Sequence, residues 1–501
     1  MAIGSPALAG YSLAITSLNT RWLKRQFSSL HFSNKEHILP VVAALQHIPF
    51  SINATGPPLP SLIVLPQNDQ WWEHLGAAVK RIRQDSVSVT VGLLWVVLAA
   101  SLTLMDSFLD FGHFITIPGA AGYSIVAVWS FLFPLVAGWL VVGYQRDANY
   151  IREALEGAHQ IAYIATAAEP VLVARVTGRP VRGIEPSMSH IDYANADEGK
   201  TAPIFNYSRV FIWSQHAEHI LRLYKHATNK ANRGIAVRRR GKWVGNNNDR
   251  VGNEAEVVKY CMEEHGAGAD VYRRHPDGEA SATEGQVVPV KPVFATEVFR
   301  RVAFATVLAL GLQWFTTGAA IHVHLKTPPK GIGCRAMSFV VYGAAATVAF
   351  WILLFSSVLS HLARRQSIRG RRSCPEGFVG CIAMFTRWLG KSIAILNGFG
   401  LLGSSVMQFS GIYDNCFCSS TVFGGYPNGV VRFVEDIKSS EVEGPWNLAL
   451  VMAFVVSICY GSIVSAPPTV VMVMEAIWSL CKGFVSLFVA CLKLAIVRRT
   501  R

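Results

Sequence analysis

VAFATVLALGLQWFTTGAAIHV (Val302–Val323) and SFVVYGAAATVAFWILLFSSVLS (Ser338–Ser360) decide the fold class. Each is about as long as the ~20 helical residues that cross a bilayer core. Neither contains Asp, Glu, Lys or Arg. In lipid such a run must be a helix, because every backbone N–H and C=O has to be bonded internally. The chain therefore reads as an all-α, polytopic transmembrane bundle.

The same criterion gives further spans at about Val87–Met105, Gly122–Gly143, Ser392–Ile412 and Trp446–Ala466, six in all, with Pro134 inside the second. Val470–Val497 is ambiguous. Glu475, Ser479, Lys482, Ser486 and Lys493 form one narrow polar face, which suits a seventh span on a water-filled cavity or a helix lying in the interface. Arg498, Arg499 and Arg501 favour the interfacial placement. The expected segments are an N-terminal cytoplasmic region (1–86), a first hairpin (87–143), a helical and partly disordered cytoplasmic insert (144–301), a second hairpin (302–361), a basic loop (362–391), a third hairpin (392–466) and an interfacial C-terminal segment (467–501).

Composition agrees with membrane insertion. The chain is 51% hydrophobic and only 16% charged, yet carries a formal charge of +14. Lys and Arg are concentrated in segments on one side of the expected spans, which makes that side, with both termini, cytoplasmic. The basic balance is thus explained by topology. RNA binding would require aromatic platforms among the arginines, and only Trp243 is near Arg238–Arg240. No nucleic-acid partner follows. Arg364, Arg365, Arg369, Arg371 and Arg372 are candidates for contact with anionic lipid headgroups.

Within the N-terminal region, Leu8, Tyr11, Ile15, Leu18 and Trp22 recur at helical spacing and make one apolar face. That helix is expected on the membrane surface or against the spans. Trp71 and Trp72, beside Lys80, Arg81 and Arg83, read as an interfacial belt. In the insert, helices are expected over Arg146–Ala168, Asn206–Thr228 and Asn253–His265. The Gly-, Asn- and charge-rich stretches GIAVRRRGKWVGNNNDRVGN and GAGADVYRRHPDGEASATEGQ are expected to be disordered.

Several of the strings on these segments resemble a family of uncharacterised polytopic integral membrane proteins of filamentous fungi: LAGYSLAITSLNTRW, IPGAAGYSIVAVWSFLFPLVAGWL, LALGLQWFTTGAAI, GIGC and YDNCFCSS. The resemblance implies architecture and a fungal source, and carries no catalytic residue across.

The sequence supplies few candidates for chemistry. His216, His219 and His226 tempt as metal ligands, but they lie opposite an apolar face, and His226 is about 10 Å beyond His219 along a helix, out of reach of a shared zinc. A solvated face is expected, with no metal or cofactor. Cys334 with Cys416 or Cys418 is expected to form a disulfide between outer loops. Thr306, Gln313 and Thr317 on the third span, and Asn397, Ser404 and Gln408 on the fifth, either line a polar path or hydrogen-bond helices together. No acid or base falls near the middle of the six expected spans, which weighs against a proton-driven carrier. The expected function is a non-enzymatic membrane scaffold or sensor whose cytoplasmic insert binds a protein partner. A transporter or channel is the alternative, and an enzyme using Asp106, Asp110 and His113 comes third.

Overall fold

The computed structural model describes residues 1–30, 34–52, 58–80, 117–142, 148–175, 183–186, 205–238, 247–262, 296–327, 332–368, 375–410 and 439–465, with Phe32, Leu98, Leu102, Val244, Ile412, Tyr413 and Cys418. Apart from Leu98 and Leu102, the expected first span lies outside the described residues, as does all of Val470–Val497.

In chain order the helices are α1 (Pro6–Ser28), α2 (Lys35–Ala44), α3 (Pro58–Val64), α4 (Asp69–Lys80), α5 (Ile117–Trp129), α6 (Leu132–Val142), α7 (Ala148–His159), α8 (Val210–Asn232), α9 (Glu254–Tyr260), α10 (Thr296–Lys326), α11 (Cys334–Ile368), α12 (Pro375–Phe409) and α13 (Ser439–Ser465). Short strands β1 (Phe50–Ile52), β2 (Tyr163–Ile164), β3 (Val171–Leu172) and β4 (Ile184–Pro186) form two antiparallel pairs, β1 with β4 and β2 with β3.

Among the described residues, five helical stretches are long and apolar enough to cross a membrane: Ala120–Trp139, Glu297–Lys326, Cys334–Ala363, Phe378–Gln408 and Gly444–Ser465. The first is broken into α5 and α6. Proline lacks an N–H and its ring clashes with the carbonyl four residues earlier, which for Pro134 is Ser130. That freed carbonyl accepts from Phe133 N at 3.2 Å and from the Ser457 hydroxyl of α13 at 3.3 Å, so the break is hydrogen-bonded within the bundle. The outer faces of α12 and α13 expose Phe385, Trp388, Leu396, Phe399, Leu448, Val451 and Ile458, an apolar surface suited to lipid.

α12 corrects one sequence boundary. The span expected from Ser392 belongs to a helix that begins at Pro375, and Arg387 within it is 1% exposed. Its guanidinium donates to the hydroxyls of Ser360 (2.6 Å) and Ser356 (3.3 Å) on α11.

The second unit is a cap domain at one end of the bundle. Its core combines α2, α3 and α4 with α7, α8 and α9, segments that lie on either side of the first hairpin in sequence. The β1–β4 pair, with Phe50 opposite Pro186 and Ile52 opposite Ile184, ties the two halves together. Trp71 and Trp72 sit inside this core, fully buried, and the Trp72 indole donates to the Leu62 carbonyl at 2.7 Å. They are core residues of the cap domain, which corrects their reading as an interfacial belt. Of the first stretch expected to be disordered, residues 247–253 pack into this unit, which corrects that expectation for them. Arg250 grips Asp69 through two 2.7 Å bonds and donates to the Val64 carbonyl at 2.8 Å. A bidentate guanidinium–carboxylate pair fixes the loop that carries it. Asn253 then starts α9 through a capping box with Glu256. The second stretch expected to be disordered lies outside the described residues.

α1 belongs to both units. Ala7 to Leu18 pack in the bundle core with Phe131, Ala305, Ala309, Phe350 and Tyr460. Trp22, Leu23 and Phe27 pack in the core of the cap domain. Every residue from Pro6 to Leu23 is buried, so the helix has no solvent face over that length. Its hydroxyls remain compatible with burial because Ser12, Thr16 and Thr20 each donate to the carbonyl four residues back, at 2.7–2.9 Å.

Candidate functional site

Two clusters of polar side chains lie at the two ends of α1. At its C-terminal end, the head, the helix meets the start of α10 and the end of α13. Arg21 donates to the Ile463 carbonyl at 2.8 Å and to the Val464 carbonyl, and Ser17 donates to Val464 at 2.6 Å. Those carbonyls lie in the last turn of α13, where no intrahelical N–H remains to pair with them and the helix dipole favours a cation.

One turn away, Arg301 of α10 is 5% exposed and donates to Asn19 Oδ1 at 2.8 Å. Its guanidinium lies 4.4 Å from the Trp22 ring centre, a cation–π contact. The Trp22 indole donates to Glu297 at 2.7 Å. Asn19 also reaches Gln46 of the cap domain at 3.4 Å, and Asn206 donates to Thr16 at 2.8 Å. Arg301 Nη2 and Gln46 Nε2 have no hydrogen-bond partner among the described residues. Glu218 of α8 faces this cluster. Burial raises its carboxyl pKa, the charges of Arg301 and Arg222 oppose that rise, and Glu297 adds to it.

At the other end, the foot, Ile3–Ala7 enter the bundle between α10, α11 and α12. Tyr342 Oη donates to the Ile3 carbonyl (2.6 Å), Asn397 Nδ2 to the Gly4 carbonyl (2.8 Å), and Ser5 to the Ala346 carbonyl (3.2 Å). The Ala7 N–H, an unpaired donor of the first turn of α1, donates to Gln313 Oε1 at 3.2 Å. Gln313 Nε2 in turn donates to Thr347 at 2.8 Å and to the Gly343 carbonyl at 3.1 Å.

The candidates from sequence distribute as follows. Gln313 and Asn397 come together on the foot of α1. Thr306 and Thr317 are buried, and the Thr317 hydroxyl has no partner among the described residues. Ser404 donates to the Leu401 carbonyl of its own helix at 2.9 Å, and Gln408 is buried beside His324. Cys334 is disulfide-bonded to Cys418, while Cys416 lies outside the described residues. The side chains of Arg364 and Arg365, and Arg369, Arg371 and Arg372 altogether, also lie outside them, as do Asp106, Asp110 and His113.

His216 and His219 are partly buried rather than solvated. The His216 ring packs 4.9 Å from that of Phe50. Burial, with Arg222 acting in the same direction, lowers the His219 pKa to about 4. No group of three His, Cys, Asp or Glu able to hold a metal occurs among the described residues. Burial pushes the Cys261 thiol up to about 12, which makes it inert as a nucleophile.

Sequence reasoning passed over Arg21 and Arg301 because each stands at the edge of an apolar run, where a basic residue is ordinary. The usable signal was the polar content of α1, with Ser12, Thr16, Ser17, Asn19 and Thr20 too many for a helix packed among spans unless each is bonded. No protein-family model, curated protein or solved structure matches the chain.

Proposed function

We propose that this chain is a membrane scaffold or sensor, without catalytic activity, in which α1 links the state of the bundle to that of the cap domain. The observation that carries the reading is that one continuous helix is a core element of both units. A displacement at one end of a rigid, buried helix has to be accommodated at the other, because packed cores do not deform smoothly.

Six spans and cytoplasmic termini are part of the proposal. The sixth span is supported by the chain ends around it: α4 finishes at Lys80 within the cap domain, whereas α5 begins at the opposite end of the bundle, where Tyr123 bonds Asn447 at 3.2 Å. Val87–Met105 is the apolar run between them. The one-sided distribution of Lys and Arg supports the orientation. The Arg364–Arg372 cluster is proposed to meet anionic headgroups, and the cap domain to receive the protein partner.

Amide exchange in proteoliposomes tests the link. Ser12→Pro breaks α1 within the bundle and should raise exchange across Val210–Asn232 of the cap domain. Unchanged exchange there would sink the coupling. Solute flux through the intact chain would replace it with the transporter reading.

A further inference from the structure

The foot of α1 is held differently from the rest of the helix. Three helices contribute to it, and the groups they present recognise main-chain atoms: Tyr342 and Asn397 donate to the carbonyls of Ile3 and Gly4, and Gln313 accepts the N–H of Ala7. Side chains 2–7 are small or aliphatic, and apart from the Ser5 hydroxyl on the Ala346 carbonyl the contacts named here are to the main chain of the segment. It is also neutral, since these contacts are made entirely by amide, hydroxyl and carbonyl groups. Sterically it demands glycine at one position. A Cβ on Gly4 would overlap the Ala394 carbonyl oxygen and stand 2.8 Å from the Gly398 nitrogen, both backbone atoms of α12 that cannot swing aside. A Cβ on Gly398 would in turn come within 3.3 Å of the Gly4 nitrogen.

We propose that Gln313, Tyr342 and Asn397 form a backbone-binding slot midway through the bundle, and that Ile3–Ala7 is its removable occupant, a plug supplied by the chain itself. Removability follows from the chemistry. Neutral hydrogen bonds between membrane helices each shift a population by roughly a factor of three, whereas the head is held by the guanidinium contacts of Arg21 and Arg301 to carbonyls, an amide and an indole ring. When the segment leaves, the slot presents neutral donors and acceptors that suit an uncharged, amide-bearing peptide segment and repel ions for want of a counter-charge. The buried Thr317 hydroxyl, unpartnered among the described residues, lies one turn from Gln313 and reports on water entering there. This inference is independent of whether α1 transmits anything to the cap domain.

The experiment places Thr317→Cys in a background in which Cys374, Cys381, Cys416, Cys459, Cys481 and Cys491 are replaced by Ser, and follows labelling by a water-soluble thiosulfonate in nanodiscs. Position 317 should be protected, and Gly4→Leu, which cannot seat in the slot, should speed its labelling about tenfold. A synthetic peptide of residues 1–12 should then restore protection. Asn397→Ala, a milder change for use if Gly4→Leu does not fold, should give a smaller rise of the same kind. Unaltered labelling in both variants overturns the proposal. So does a rise that the peptide fails to reverse, since it would mark Ile3–Ala7 as ordinary packing.

Discussion

The head and the foot of α1 lie on one helix and use opposite chemistry. At the head, Arg21 and Arg301 bind helix-end carbonyls, an amide and an indole ring, with Glu297 and Glu218 close by. At the foot, midway along the spans, the contacts are amide and hydroxyl groups without a formal charge. The difference follows from depth. A charge near the end of the bundle can be solvated or paired, whereas one at mid-depth costs several kcal/mol, so recognition there falls to neutral groups. The head is therefore expected to be the strong attachment and the foot the weak one.

Replacing Arg301 by Ala gives the largest expected effect. It removes a charge-assisted bond to Asn19 and the contact with Trp22, and should cost about 2–4 kcal/mol, read as a lower unfolding midpoint in detergent. Arg301→Lys should recover only part of this, because an ammonium cannot reproduce the guanidinium fork. Gln313→Leu at the foot should cost less, about 1–2 kcal/mol. If Gln313→Leu proved the more damaging of the two, the ranking of the ends would be reversed.

The smallest effect is in pH. His219 has its folded pKa lowered from 6.5 to about 4, so between those values the unfolded chain binds more protons. The cap domain should gain stability from this residue as pH rises from 4 to 6.5, and His219→Gln should remove that slope from the midpoint-versus-pH curve. Glu218, with its pKa raised from 4.5, acts in the opposite sense. Stability from that carboxyl is present at low pH and lost as pH rises above 4.5, so Glu218→Gln should steepen the gain. Identical profiles for both variants would show that neither group lies in the buried surroundings described.

Legibility differed between the two units for a physical reason. α10 and α11 were plain from composition, because a charge-free run of span length has one stable form in lipid. α1 was legible as a helix set on the membrane surface or against the spans, but not as one enclosed on every side. Its apolar positions, Leu8 to Trp22, give the period of a surface helix, and its burial depends on α6, α10, α11 and α13 closing around it. The cap domain was harder still. Residues near Phe50 and Ile184 show no local sign of pairing across the first hairpin, nor Arg250 of its place beside Asp69. Arg387 was missed because apolar residues on both sides extend its helix well before the run that marks the span.

Entry into a membrane and the rough positions of the described spans could be read from composition alone, because hydropathy over some twenty residues is a local property. Which polar groups meet came from the folded chain: Arg301 stacks on Trp22, Gln313 and Asn397 close on residues 4–7, and one helix serves two cores. Those contacts join residues hundreds of positions apart, and whether a buried polar group is satisfied depends on its neighbours in space rather than along the chain.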